Sequence, residues 1–172
     1  MSESPPTTLR LSVNGHTHTV LARHADSLLD VLREQLGLTA TKRGCDLGTC
    51  GCCLVQVDGE PNLSCLTLAA EVEGQQVISL EGLPDSGRFT PLQDTFAEMG
   101  ASQCGFCTPG FLLTADAILR DNPTPTRDEL RSELSGNLCR CTGFAKILDA
   151  IERCASEHRA FRGYADAMRG QA

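Results

Sequence analysis

Ten cysteines in 172 residues restrict this chain more than any other feature. Eight of them gather in two groups. The first group, GCDLGTCGCCLVQVDGEPNLSC, holds Cys45, Cys50 and Cys53 at a C-x4-C-x2-C spacing, with Cys65 after eleven intervening residues. The second pairs Cys104 and Cys107 in QCGFCTPG with Cys139 and Cys141 in GNLCRCTGF, 31 residues further along. No basic region followed by an apolar run opens the chain, and no stretch reaches the roughly 18 apolar residues of a spanning helix. The cytoplasm is therefore the expected compartment. Thiols stay reduced there, so clustered cysteines are expected to bind metal or act catalytically instead of forming disulfides.

The net charge of −7 argues against nucleic acid and against an anionic membrane surface, both of which reward clustered Lys and Arg. Hydrophobic residues at 41% and charged residues at 22% suit an ordinary globular chain.

The spacing of Cys45, Cys50 and Cys53 matches the plant-type 2Fe–2S pattern, with Cys65 as fourth ligand. A short loop must wrap three thiolates around a small anionic cluster while a strand brings the fourth. Gly44, Gly48 and Gly51 allow close backbone approach, and Lys42 and Arg43 add positive charge. A structural zinc site is the alternative, although zinc knuckles usually show two Cys pairs. A Rieske centre needs two histidine ligands, and His16, His18, His24 and His158 all lie outside the cysteine loops. They read as surface residues.

In the second group each pair precedes an expected helix. Thr108 can cap one, with Pro109 at its first position, and Thr142 can cap the other. Helix N-termini stabilise thiolates, and Arg140 and Lys146 add charge of the right sign. A second 2Fe–2S cluster, a zinc site and a thioredoxin-like dithiol all remain open, though the last leaves Cys139 and Cys141 unexplained. Cys52 is expected as a small buried residue in a tight turn, and Cys154 as a core residue.

Between these groups the chain divides. Residues 9–22 predict a hairpin about Asn14-Gly15. SLLDVLREQLG predicts a helix capped by Ser27 and ended by Gly37, with Leu28, Leu29, Leu32 and Leu36 on one face. LVQVDGEP predicts a strand and an Asp58-Gly59 turn, and VISLEGL (77–83) another short strand. This makes residues 1–83 a small α+β domain, 84–91 a linker, and 92–172 an all-α domain with a polar tail from about 160. In that second half GFLLTADAILRDNP predicts a helix with Phe111, Leu112, Ala115, Ile118 and Leu119 on one face, stopped by Pro123, and Thr126 to Glu129 forms a capping box.

The chain resembles the small iron–sulfur subunit of the molybdenum hydroxylases, the xanthine dehydrogenase/aldehyde oxidase family. The resemblance runs from about residue 9 to 157 and rests on GCDLGTCGCCLVQVDG with SCLTLA, and on QCGFCTPG with GNLCRCTGF. Cys52 stands where the family usually has a small Ala. The resemblance implies an N-terminal β-grasp, ferredoxin-like domain followed by a four-helix bundle. It implies two 2Fe–2S clusters, a large partner subunit with a molybdopterin cofactor, and usually a medium subunit with FAD, in a dimer of heterotrimers. Gln103 is implied as a hydrogen-bond partner of the pterin, and Cys141 as a ligand beside the pterin amino group. On this resemblance the chain passes electrons, no residue in it makes or breaks substrate bonds, and it is expected to be a separate subunit. A free two-cluster ferredoxin and a zinc-stabilised interaction module are the rival readings.

Overall fold

Asn14 and Gly15 both take positive φ, 53° and 78°, the left-handed pair that a two-residue hairpin turn demands. They join β1 (Thr7–Val13) to β2 (His16–Ala22) in antiparallel register, Leu9 opposite Val20 and Val13 opposite His16. The computed structural model describes residues 5–83 and 89–157. Residues 84–88 of the expected linker, the polar tail and His158 lie outside the described residues.

Ser27 caps the first helix as expected, its Oγ accepting from Asp30 N at 3.1 Å. This helix, α1, is α-wound only over Leu28–Asp30 and π-wound over Val31–Gln35, with Leu36 N reaching Val31 O at 3.1 Å. The wider turn keeps Leu28, Leu29, Val31 and Leu32 buried together. Asp58 and Gly59 turn β3 (Leu54–Val57) into β4 (Glu60–Leu63). The expected strand over 77–83 is shorter and earlier: β5 spans Gln76–Ile78, and Leu80–Gly82 winds as a 3-10 turn. The sheet order is β2-β1-β5-β3-β4, with β1 and β5 parallel and the other pairs antiparallel.

Four helices follow: α2 (Phe89–Glu98), α3 (Thr108–Asp121), α4 (Arg127–Glu133) and α5 (Ala145–Glu157). Thr126 and Glu129 form the predicted capping box at α4. α3 differs from the one-faced helix the sequence suggests. Pro109 to Ala117 and Leu119 are all buried, so it is hydrophobic nearly all round and sits at the centre. The architecture is α+β, a mixed sheet and the helices around it. No helix among the described residues is long and apolar enough to cross a membrane.

β3 explains how the sheet meets the helices. All four of its residues are buried. Val55 and Val57 enter the core of the sheet and α1, whereas Leu54 enters the core of α2, α3, α4 and α5. Alternation along a strand sends neighbours to opposite faces. Gln56 therefore faces the helices too, and its Nε2 donates to Leu113 O at 3.0 Å and Asp116 Oδ2 at 2.9 Å. Arg120 adds a hydrogen bond to Gly59 O. Gln56→Leu is expected to cost about 1–3 kcal/mol, since two buried donors vanish beside a carboxylate that stays. Chemical unfolding of the iron-loaded protein should show a lower midpoint, and an unchanged midpoint would contradict this role.

Candidate metal centres

The first centre is shaped by backbone that only glycine permits. A Cβ on Gly44 would lie 2.7 Å from Cys50 Sγ, so the loop closes directly over that sulfur. Leu47 N and Thr49 N each donate to Cys45 Sγ at 3.4 Å. The Thr49 side chain and these two N–H groups pull the Cys45 thiol down to about 6. Cys45 faces Cys50, and Cys53 faces Cys65. Ser64 secures the second pair, its N–H and hydroxyl both donating to Cys53 O, at 3.3 and 2.6 Å. Burial pushes the Cys53 thiol up to about 12, so metal must displace its proton there.

The expected charges are spent differently. Arg43 pairs with Asp30 and Asp46, and Lys42 Nζ donates to Thr39 O at 2.6 Å. The guanidinium pins the loop's flanks while backbone N–H groups face sulfur.

The second centre lines a cavity of about 410 Å³ together with Gly44, Cys50 and Cys52. Cys104 and Cys141 place their sulfurs 3.6 Å apart at the exposed rim. Cys107 and Cys139 face each other deeper in. Burial pushes Cys107 up to about 12. Burial also raises Cys139, but the Thr142 hydroxyl and N–H outweigh it and hold that thiol below its ordinary value.

Two caps differ from expectation. Cys107 itself is the N-cap of α3, Thr108 is the first helical residue, and its Oγ1 lies 2.9 Å from Ser102 Oγ. Thr142 does not cap α5, which begins at Ala145 after a positive-φ Phe144. Its hydroxyl turns to Cys139 Sγ at 3.1 Å. Its oxygen still accepts from Phe144 N at 3.2 Å, but the positive φ of Phe144 delays the helix to Ala145, so this bond does not cap it.

The donor set fits 2Fe–2S clusters. Cys45 faces Cys50, Cys53 faces Cys65, Cys104 faces Cys141 and Cys107 faces Cys139, while Cys52 also faces Cys50. Four thiolates are the donor set of a 2Fe–2S cluster.

Sequence reasoning missed the link between the centres. Leu138 N donates to Cys50 O at 2.9 Å, tying the residue before Cys139 to a cysteine of the first group. Beside it Gly51 lies against Gly136 and Asn137. Cys52, buried as expected, lines the second cavity and its Sγ is 3.8 Å from Cys50 O. Cys154 is fully buried in the helical core, also as expected. No signal in the linear pattern couples position 50 to position 138.

Two family models match the chain. A 2Fe-2S iron–sulfur cluster binding domain matches residues 11–81, and a [2Fe-2S] binding domain matches residues 79–152. The nicotinate dehydrogenase small FeS subunit of Eubacterium barkeri is 46% identical over 153 residues, covering 87% of this chain and 98% of that protein. This chain belongs to the small iron–sulfur subunits of the molybdenum hydroxylase family. The xanthine dehydrogenase iron–sulfur-binding subunit of Escherichia coli O157:H7 is 42% identical, covering 90% of this chain and 98% of that protein. A chain of quinoline 2-oxidoreductase from Pseudomonas putida 86 superposes with a TM-score of 0.85 at 44% identity, over 94% of this chain and 99% of that one. In the aldehyde oxidoreductase of Desulfovibrio desulfuricans ATCC 27774 the matched part is 17% of a longer chain, at 41% identity and a TM-score of 0.81. As a member of this family the chain is the iron–sulfur subunit of an oxidoreductase complex, with two 2Fe–2S clusters.

Proposed function

We propose that this subunit carries electrons from a molybdopterin site in a large partner subunit, through two 2Fe–2S clusters, to FAD in a medium subunit. Cys104, Cys107, Cys139 and Cys141 hold the entry cluster, and Cys45, Cys50, Cys53 and Cys65 the exit cluster. Each cluster, when bound, supplies a one-electron carrier of low potential.

The observation that carries this reading is the Leu138 N to Cys50 O hydrogen bond, which joins the two cysteine loops inside one packed unit. Each centre also opens outward on its own side. At the entry centre Cys104 and Cys141 are exposed beside Gln103, Phe106 (46% exposed) and Leu138 (51%). At the exit centre Leu47 (76%) and Leu66 (61%) flank Cys45 and Cys65. Apolar side chains around a redox centre suit docking, since they exclude water from the contact. Gln103 and Cys141 sit where they would meet the pterin. The ferredoxin-like domain covers 1–83 and the four helices form the bundle domain, with α2 already starting at Phe89 inside the expected linker of 84–91. The complex is a cytoplasmic dimer of heterotrimers.

Iron and acid-labile sulfide assays on the complex purified without air should give two clusters for this subunit. EPR of the reduced complex should show two distinct rhombic signals. Zinc in place of iron, or a single signal, would remove the basis of this reading.

A further inference from the structure

Thr142 has a hydroxyl whose proton can be located by elimination. Phe144 N donates to Thr142 Oγ1 at 3.2 Å, so that N–H occupies a lone pair of the oxygen. The hydroxyl's own proton is then free to point the other way, and the group 3.1 Å away is Cys139 Sγ. Thr142 N donates to the same sulfur at 3.4 Å. The arrangement is rigid. Phe144 is held at φ 68° with its ring edge-on to Phe111, 5.7 Å between centroids, and Phe111 is fully buried in α3.

The position of this bond matters. Cys104 and Cys141 form the exposed rim, whereas Cys139 belongs to the inner pair and follows Leu138, whose N–H reaches Cys50. The donor therefore acts on the side of the entry centre that faces the exit centre. A hydrogen bond to a sulfur is stronger when that sulfur carries more negative charge. The reduced state gains most, so the donor raises the potential.

We propose that Thr142 is a positioning residue that sets the potential of the entry centre through Cys139. It is not a ligand. This inference rests on the cluster assignment made above. The hydroxyl favours the one-electron reduced form of the entry centre, and so favours taking the electron from the donor subunit.

The test is an EPR-monitored potential titration of the purified complex carrying Thr142→Val, Thr142→Ala or Thr142→Ser. Val and Ala lack the donor, and Ser keeps it. At the potential where the wild-type entry centre is half reduced, the reduced-to-oxidised ratio of the Val and Ala variants should be roughly tenfold lower, a shift of ~59 mV for a one-electron couple. Ser should stay near wild type, and the exit centre should not move in any variant. The inference is overturned if Val and Ala titrate like wild type, if Ser shifts as far as they do, or if both centres shift together. A wild-type complex with fewer than two centres would refute the cluster assignment instead, and is read from the same iron assay. Two hydroxyl-free variants of different shape keep the test decisive if one of them fails to assemble.

Discussion

Cys107→Ser is expected to halve the iron of this subunit and erase one of its two EPR signals. Cys107 is the most constrained thiol of the entry centre. It caps α3, its carbonyl accepts Phe111 N at 3.2 Å, and its sulfur faces Cys139 below the exposed rim. Burial raises its thiol to about 12 in the metal-free chain. Iron must therefore supply the energy that removes the proton, and a serine hydroxyl is far harder to ionise. The exit centre should survive, because its four sulfurs sit on a different loop and strand. Cys154→Ser is the control: that sulfur is fully buried in the helical core, where it meets Thr95 and none of the clustered thiols, and iron should be unchanged. Full iron in Cys107→Ser would show that the sulfurs are shared out differently.

Gly110→Ala is expected to have the second large effect, on the spacing between the centres. Gly110 lies in the first turn of α3 against the turn that follows Cys50. A Cβ there would collide with the carbonyl oxygen of Gly51 and reach within 3.2 Å of Asn137 Nδ2. Gly51 is equally hemmed in, with φ 70° and Gly136 O at 2.6 Å from a Cβ position. The nearer obstacle, Gly51 O, is backbone, so relief requires the Cys50–Cys53 turn to move away from α3. Overpacking of this kind costs about 1–3 kcal/mol. For a chain of this size that is a fall of roughly 2–4 °C in melting temperature per kcal/mol. The Leu138 to Cys50 hydrogen bond runs beside the contact and should lengthen with it. Stopped-flow reduction should then show slower filling of the exit centre at unchanged iron content. Gly136→Ala is the matched control, since nothing lies within 4 Å of its Cβ position and its φ is ordinary. Equal melting temperatures for the two variants would show that this contact has slack.

Legibility in the sequence followed the range of the interaction. Asn14-Gly15, Asp58-Gly59, Ser27 and the Thr126 capping box act through neighbours a few residues away, and each appears where the pattern placed it. Differences arose where the surrounding fold intervened. Thr142 has the composition of a cap, yet the left-handed Phe144 delays the helix to Ala145 and the hydroxyl's proton goes to Cys139. Arg43 reads as a counter-charge for a cluster, yet Asp30 and Asp46 hold it. α3 reads as one-faced, yet β3 covers its other side through Leu54 and Gln56.

The spacing of the first cysteine group pointed to one plant-type 2Fe–2S site, and the motifs around all eight clustered cysteines pointed to a family, whose resemblance implied the second. A thiolate's chemistry is intrinsic to the residue, and a short loop leaves few ways to present three of them. Tertiary structure alone decided that Cys104 and Cys141 meet, that they are outermost, and that Leu138 reaches Cys50. Those facts depend on β3 being buried between two cores, which brings together residues some 90 positions apart. Packing of that kind is set by the shape of whole surfaces, and linear spacing carries no measure of it.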